Sequence, residues 1–153
     1  MVERNDPARA GVKAGRVVGV ATAALSVAAL LGVQDTYYEQ MTVLLGFVGA
    51  DAVPLAAVFW GNVALTAAAR YTLAYVVGSL VGVVYDWLGR PSLVVLGILV
   101  SVVGAVDGAF AALDTRSAVF GVAYLLAWLC YVPVFARVFD ESADERSGPA
   151  RLS

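Results

Sequence analysis

Apolar residues in this chain come in long unbroken runs rather than in strand alternation or the one-sided stripe of a soluble helix. Val17 to Val33 is uncharged and almost wholly apolar. Pro54 to Pro91 is apolar over most of its length, interrupted only by Asn62 and Arg70 before Asp86. Ser92 to Leu113 and Ser117 to Phe139 follow, separated by the polar loop Asp114-Thr115-Arg116. A membrane-crossing helix needs about 20 apolar residues, so the pattern predicts transmembrane helices at about 17–33, 55–88, 92–113 and 117–139. The predicted fold is all-α: an integral membrane four-helix bundle with a short extra outer-side helix or re-entrant segment.

That extra segment is Met41 to Ala50, MTVLLGFVGA, too short to span alone. It follows a polar loop, Gln34 to Gln40, whose Tyr37 and Tyr38 suit a membrane interface. Residues 1–16 read as a polar cytoplasmic N-terminus and 140–153 as a polar, acidic, disordered tail. A charged arm before an apolar run also resembles a signal peptide, with Ser26-Val27-Ala28 as its cleavage site. The run is long for that role, and an uncleaved anchor is the preferred reading.

The run from Pro54 to Pro91 has two readings. It breaks at Arg70 into two spans, or it is one helix about 50 Å long that must tilt, kink or project. Ala69-Arg70-Tyr71 contains no Gly, Pro or Asn with which to turn, which favours one helix. Charge arbitrates in the same direction. With four spans, every basic residue except Arg70 and Arg116 lies on one side, whereas a fifth span scatters them. The positive-inside rule then places both termini in the cytoplasm of a multi-pass cell-membrane protein. Pro133 is expected to kink the last span.

Composition agrees: 61% of residues are hydrophobic and 14% charged, against about 25% charged in soluble domains. The net charge of -2 implies no nucleic-acid partner. Histidine is absent and Cys130 is the single cysteine, so no disulfide within the chain and no Cys/His zinc site is expected. Cys130 reads as a small buried apolar residue. Lys13 is the only lysine and Ile98 the only isoleucine, a bias that suits a high-GC genome; the acidic tail would suit a halophile.

Three constellations stand out. Small residues recur at helical spacing: Gly15 with Gly19, Gly78 with Gly82, and Gly97, Ser101, Gly104, Gly108 and Ala111 within about 80° of one another. Such stripes let backbones approach closely in lipid. They serve intrachain packing or, alternatively, homo-oligomerisation. Arg70 and Asp107 lie at matching depths, about 24 and 22 Å from the turn that joins their spans. They invite an ion pair across a close contact of those two helices, and intramembrane charges also suggest a transport path. Asp51 and Asn62 could extend them into an outer polar vestibule. The last span carries the aromatic stripe Phe120, Tyr124, Trp128, Tyr131 and Phe135, either a packed helix face or a platform for an apolar ligand.

No nucleophile–base pair and no phosphate loop is readable, so no enzyme, cofactor or metal is expected. The functional expectation is a non-enzymatic membrane protein acting by helix–helix association, as a homo-oligomer or an accessory subunit among membrane lipids. The alternative is a small oligomeric channel or transporter whose polar path includes Arg70 and Asp107.

Overall fold

The computed structural model describes residues 6–50 and 52–144, without the side chains of 141–144. Its helices are α1 (Pro7–Gly32), α2 (Gln34–Phe47), α3 (Leu55–Trp87), α4 (Leu93–Thr115), α5 (Ala118–Leu129) and α6 (Tyr131–Asp144). No strand occurs among the described residues. Among the described residues four helices are long and apolar enough to cross a membrane: α1, α3, α4, and α5 with α6 as one span from Ala118 to Asp140. The protein is an all-α, multi-pass membrane bundle.

Several boundaries differ from expectation. The first helix starts at Pro7, ten residues before the predicted Val17. Asp6 caps it, its carboxylate accepting from the Ala8 N–H at 2.9 Å, and Pro7 occupies the first turn, where a missing N–H costs nothing. Charge on residues 9–16 does not prevent the helix, because the basic side chains share one face. Ala10, Gly11, Ala14, Gly15, Val18, Gly19 and Thr22 line the other and are buried. The expected polar loop at 34–40 is the first half of α2, since only Val33 separates α1 from α2. At the far end the last helix continues past Phe139 to Asp144, so that part of the expected disordered tail is helical. Residues 145–153 lie outside the described part. The last span is interrupted at Cys130, three residues before Pro133. Proline has no N–H to offer the preceding turn.

Close backbone contacts pair helices that are not neighbours in sequence. In α1 and α3, Gly11 meets Gly82 and Gly15 meets Gly78, so the two run antiparallel. A Cβ on Gly78 would lie 2.5 Å from the Gly15 Cα. Gly108 of α4 similarly faces Gly121 of α5, while Gly104 sits under Trp128. The central helix is α1, touching α3, α5 and α6; α5 and α6 in turn carry α4. By contrast α3 and α4, though joined by a tight turn, touch at few points. A shallow apolar cleft lined by Val81, Tyr85, Leu88, Pro91, Val95 and Leu96 opens between their inner ends. The expectation that Arg70 and Asp107 lie on a close-packed α3–α4 contact is therefore corrected: these two helices pack only loosely on each other.

The register of α1 on α3 leaves the first turns of α3 projecting about 9 Å beyond the end of α1. There α2 folds back against α3, with Phe59 clamped edge-on between Tyr37 and Tyr38 at 5.4 Å from each ring. The short extra helix thus contains all of Gln34–Phe47, and no residue of it is buried.

Among the described residues two that are not glycine, Arg90 and Arg116, have positive φ, at 61° and 50°. Left-handed backbone costs an L-residue about 1–2 kcal/mol. Arg90 is held there in part by its ion pair to Asp86 at 2.9 Å. Arg116 closes α4 with no such pair among the described residues. Arg116→Gly is accordingly expected to stabilise the bundle by about 1 kcal/mol. Equilibrium unfolding in mixed micelles measures it, and an unchanged or lower stability would contradict the assignment of strain.

Candidate functional site

The polar cluster draws on all four spans, with two side chains from α5 and one residue from each of α1, α3 and α4. Arg70 projects from the middle of α3, and its Nη1–H donates to the Asp107 Oδ1 of α4 at 2.6 Å. The second carboxylate oxygen, Oδ2, accepts from the Trp128 indole N–H of α5 at 2.9 Å. The Arg70 guanidinium also lies over the Tyr124 ring, 5.1 Å from its centre, within cation–π range. The Tyr124 hydroxyl donates to the Thr22 carbonyl of α1 at 3.2 Å. Thr22 turns its own hydroxyl back onto the Val18 and Gly19 carbonyls. The network therefore runs α4–α3–α5–α1.

Each partner is in place for a chemical reason. A buried tryptophan N–H or tyrosine O–H needs an acceptor, and in lipid no water supplies one. Trp128 is 1% exposed and takes the carboxylate; Tyr124 takes a main-chain carbonyl. Arg70 and Asp107 are themselves only partly covered, their side chains 24% and 14% exposed, because the α3–α4 seam is open beside them. A second polar anchor lies farther in: the Tyr131 hydroxyl donates to the Gly78 carbonyl at 2.6 Å. Gly78 lacks the Cβ that would crowd the Tyr131 ring.

Of the other residues singled out from sequence, Asn62 is half-buried on α3. It is eight positions from Arg70, about 12 Å along the helix, too far to join it in a vestibule. Asp51 lies outside the described residues. Gly15, Gly19, Gly78, Gly82, Gly104 and Gly108 all serve contacts within the chain. Gly97 does not: a Cβ there would meet nothing within 4 Å. Ser101 is half-buried and bonds back to the Gly97 carbonyl. The close α4–α5 approach ends at Gly104, where the Trp128 side chain fills the space.

The aromatic stripe faces inward. Tyr124, Trp128, Tyr131 and Phe135 are buried, with Tyr85 edge-on to Phe135 at 5.1 Å, and only Phe120 is half-exposed. Of the two readings of the stripe, the packed helix face is therefore the one found, and the flat platform for an apolar ligand is not, since the faces are already covered by this chain. Cys130, expected to be buried, is exposed on the outer face of the last span.

Sequence reasoning missed Thr22, Gly11 and Gly121, and it placed Tyr124 and Trp128 in the stripe without assigning them polar partners. For Gly11 the signal was its four-residue spacing from Gly15. For the two aromatics it was the donor each carries into an apolar span. Comparison with known protein families, curated proteins and solved structures returns no match to this chain.

Proposed function

We propose that this is a non-enzymatic membrane protein that acts by association, as a homo-oligomer or as an accessory subunit, through the projecting hairpin of α2 and the first turns of α3. The carrying observation is that this hairpin contributes almost nothing to the bundle yet is rich in bare apolar side chains. Phe47 is 89% exposed, and Val43, Leu44, Trp60 and Leu65 are exposed beside it. Glycine contacts that could serve oligomerisation are used within the chain, which directs association to another surface. The polar cluster serves stability in this reading: both carboxylate oxygens of Asp107 are taken, one by a cation and one by an N–H. With four candidate spans we place both ends of the bundle on the same side, together with Arg9, Lys13, Arg16, Arg90 and Arg137. We assign that side to the cytoplasm of a cell membrane.

Cysteine crosslinking in native membranes tests the association. In a Cys130→Ser background, Phe47→Cys is expected to give disulfide-linked homodimers or a single larger adduct. Ile98→Cys, on the outward face of α4, is expected to give neither. No adduct at Phe47, Val43 or Trp60 positions would overturn the proposal.

A second reading, an oligomeric channel or transporter, is favoured by one feature: the Arg70–Asp107 pair lies at the loosely packed α3–α4 seam and is partly accessible there. Ion flux into liposomes distinguishes it. Association alone predicts no flux of protons, sodium, potassium or chloride. Flux that collapses in Asp107→Asn, at equal incorporation and fold, would replace the first reading with the second.

A further inference from the structure

Three basic residues on α1 stand apart from the ion pairs of the molecule. Arg9, Lys13 and Arg16 are all exposed. At 100° per residue they fall within about 60° of one another, on an exposed face that borders the Gly11–Gly15–Gly19 contact at Arg16 and turns away from it at Arg9 and Lys13. The same face continues toward the outer side as Val20, Val27 and Leu31, so it is the lipid-facing side of a membrane span. The two ion pairs among the described residues are Arg70–Asp107 and Arg90–Asp86, and neither involves these three. Arg16 has one neighbour of note, the Tyr75 ring of α3, 6.0 Å from its guanidinium carbon. That contact holds Arg16 along the α1–α3 groove.

Their depth follows from the helix register. Gly11 lies against Gly82, so Arg9 is level with about Val84 and Lys13 with about Leu80 of α3. Trp87, with the Asp86–Arg90 pair, marks the inner end of α3. Arg9 and Lys13 therefore sit about 5 and 10 Å inward from Trp87, and Arg16 about 15 Å. The headgroup layer on each side of a bilayer is about 5–8 Å thick. Helical Cα–Cβ bonds tilt toward the N-terminus, which for α1 is this same side. All three stems thus lean toward the headgroups, where their charged ends can snorkel.

We propose that Arg9, Lys13 and Arg16 form a binding face for anionic phospholipid, with the lipid phosphate held among the three cations and its acyl chains lying along Val20 and Val27. Position argues for lipid over a protein partner, because the cations descend along a face that becomes wholly apolar toward the bilayer centre. Charge complementarity selects anionic over zwitterionic lipid, since the one described carboxylate at the head of α1, Asp6, is engaged by the Ala8 N–H and leaves three positive charges in excess of one negative. This inference does not depend on the association proposed above.

Native mass spectrometry of the detergent-purified full chain tests it, with phosphatidylglycerol and phosphatidylcholine of identical acyl chains titrated in competition. Wild type is expected to retain phosphatidylglycerol about tenfold or more in preference, given the attraction of a basic cluster for anionic lipid. Arg9→Gln/Lys13→Gln/Arg16→Gln is expected to lose that preference. Arg116→Asn, on the opposite side of the membrane, is expected to keep it. Should the triple variant fail to fold, wild type in rising salt replaces it, and the preference must fall as the charges are screened. Equal retention of both lipids by wild type, a preference that survives the triple variant, or one indifferent to salt would overturn the proposal.

Discussion

Gly78→Val is expected to destabilise the bundle by about 3 kcal/mol or more, at the upper end of what overpacking costs. A Cβ at this position would lie 2.5 Å from the Gly15 Cα and 3.2 Å from the Gly15 N, both main-chain atoms. Carbon atoms in contact sit about 3.5–4.0 Å apart, so the two helices must separate by about 1 Å. A side chain could rotate away; a helix backbone cannot. Separation would also weaken the Gly11–Gly82 approach one turn along and lengthen the Tyr131 hydrogen bond to the Gly78 carbonyl. Valine is the better residue for a water-exposed helix by a few tenths of a kcal/mol, so propensity alone predicts the opposite sign. Gly97→Ala is the matched control, since nothing lies within 4 Å of that position. It is expected to be neutral or stabilising by up to about 1 kcal/mol. Reversible unfolding in mixed micelles measures both, and equal effects would contradict the assigned contacts.

Asp107→Leu is expected to cost about 2–4 kcal/mol, slightly below the range for breaking a fully buried ion pair, because the Arg70–Asp107 pair is partly accessible. Two groups lose their partner at once. Arg70 becomes an uncompensated charge within the span, and the Trp128 N–H is left in an apolar site with no acceptor. Asp107→Asn separates the two losses. Its amide oxygen can still accept from Trp128 while the charge is removed, so it is expected to fall between wild type and Asp107→Leu. A leucine variant as stable as wild type would show that the cluster holds nothing together.

The spans themselves were legible because the apolar runs in this chain are long and the punctuation between them is sharp. Arg70 and Asp107 were legible as a pair for a similar reason. Two straight antiparallel helices leaving one turn keep the same depth at equal residue counts, and these carboxylate and guanidinium groups are 2.6 Å apart. What the sequence did not show was which helices touch. Adjacency suggested α3 against α4, whereas the matching small-residue stripes put α3 against α1 and α4 against α5. The start of α1 was obscured by Arg9, Lys13 and Arg16, which resemble a solvated arm when read in order. Read at helical period, they leave Ala10, Gly11, Ala14 and Gly15 on the other face, continuous with Val18, Gly19 and Thr22. Gly97 was in phase with its stripe but beyond the end of the contact. A stripe can be counted along a chain; the length of its partner cannot.

A double-mutant cycle on Arg70 and Asp107 tests most directly whether their pair closes the bundle across the loose α3–α4 seam. Charge reversal is the weaker design, because the Trp128 N–H favours a carboxylate at position 107 over a guanidinium. The better variants are Arg70→Met, Asp107→Leu and the two together, each unfolded reversibly in the same mixed micelle. A direct pair predicts strong coupling: the double variant loses less stability than Asp107→Leu alone, since no lone charge remains. Losses that simply add would mean that the two residues act independently, and the closed four-helix cluster described for this protein would be wrong.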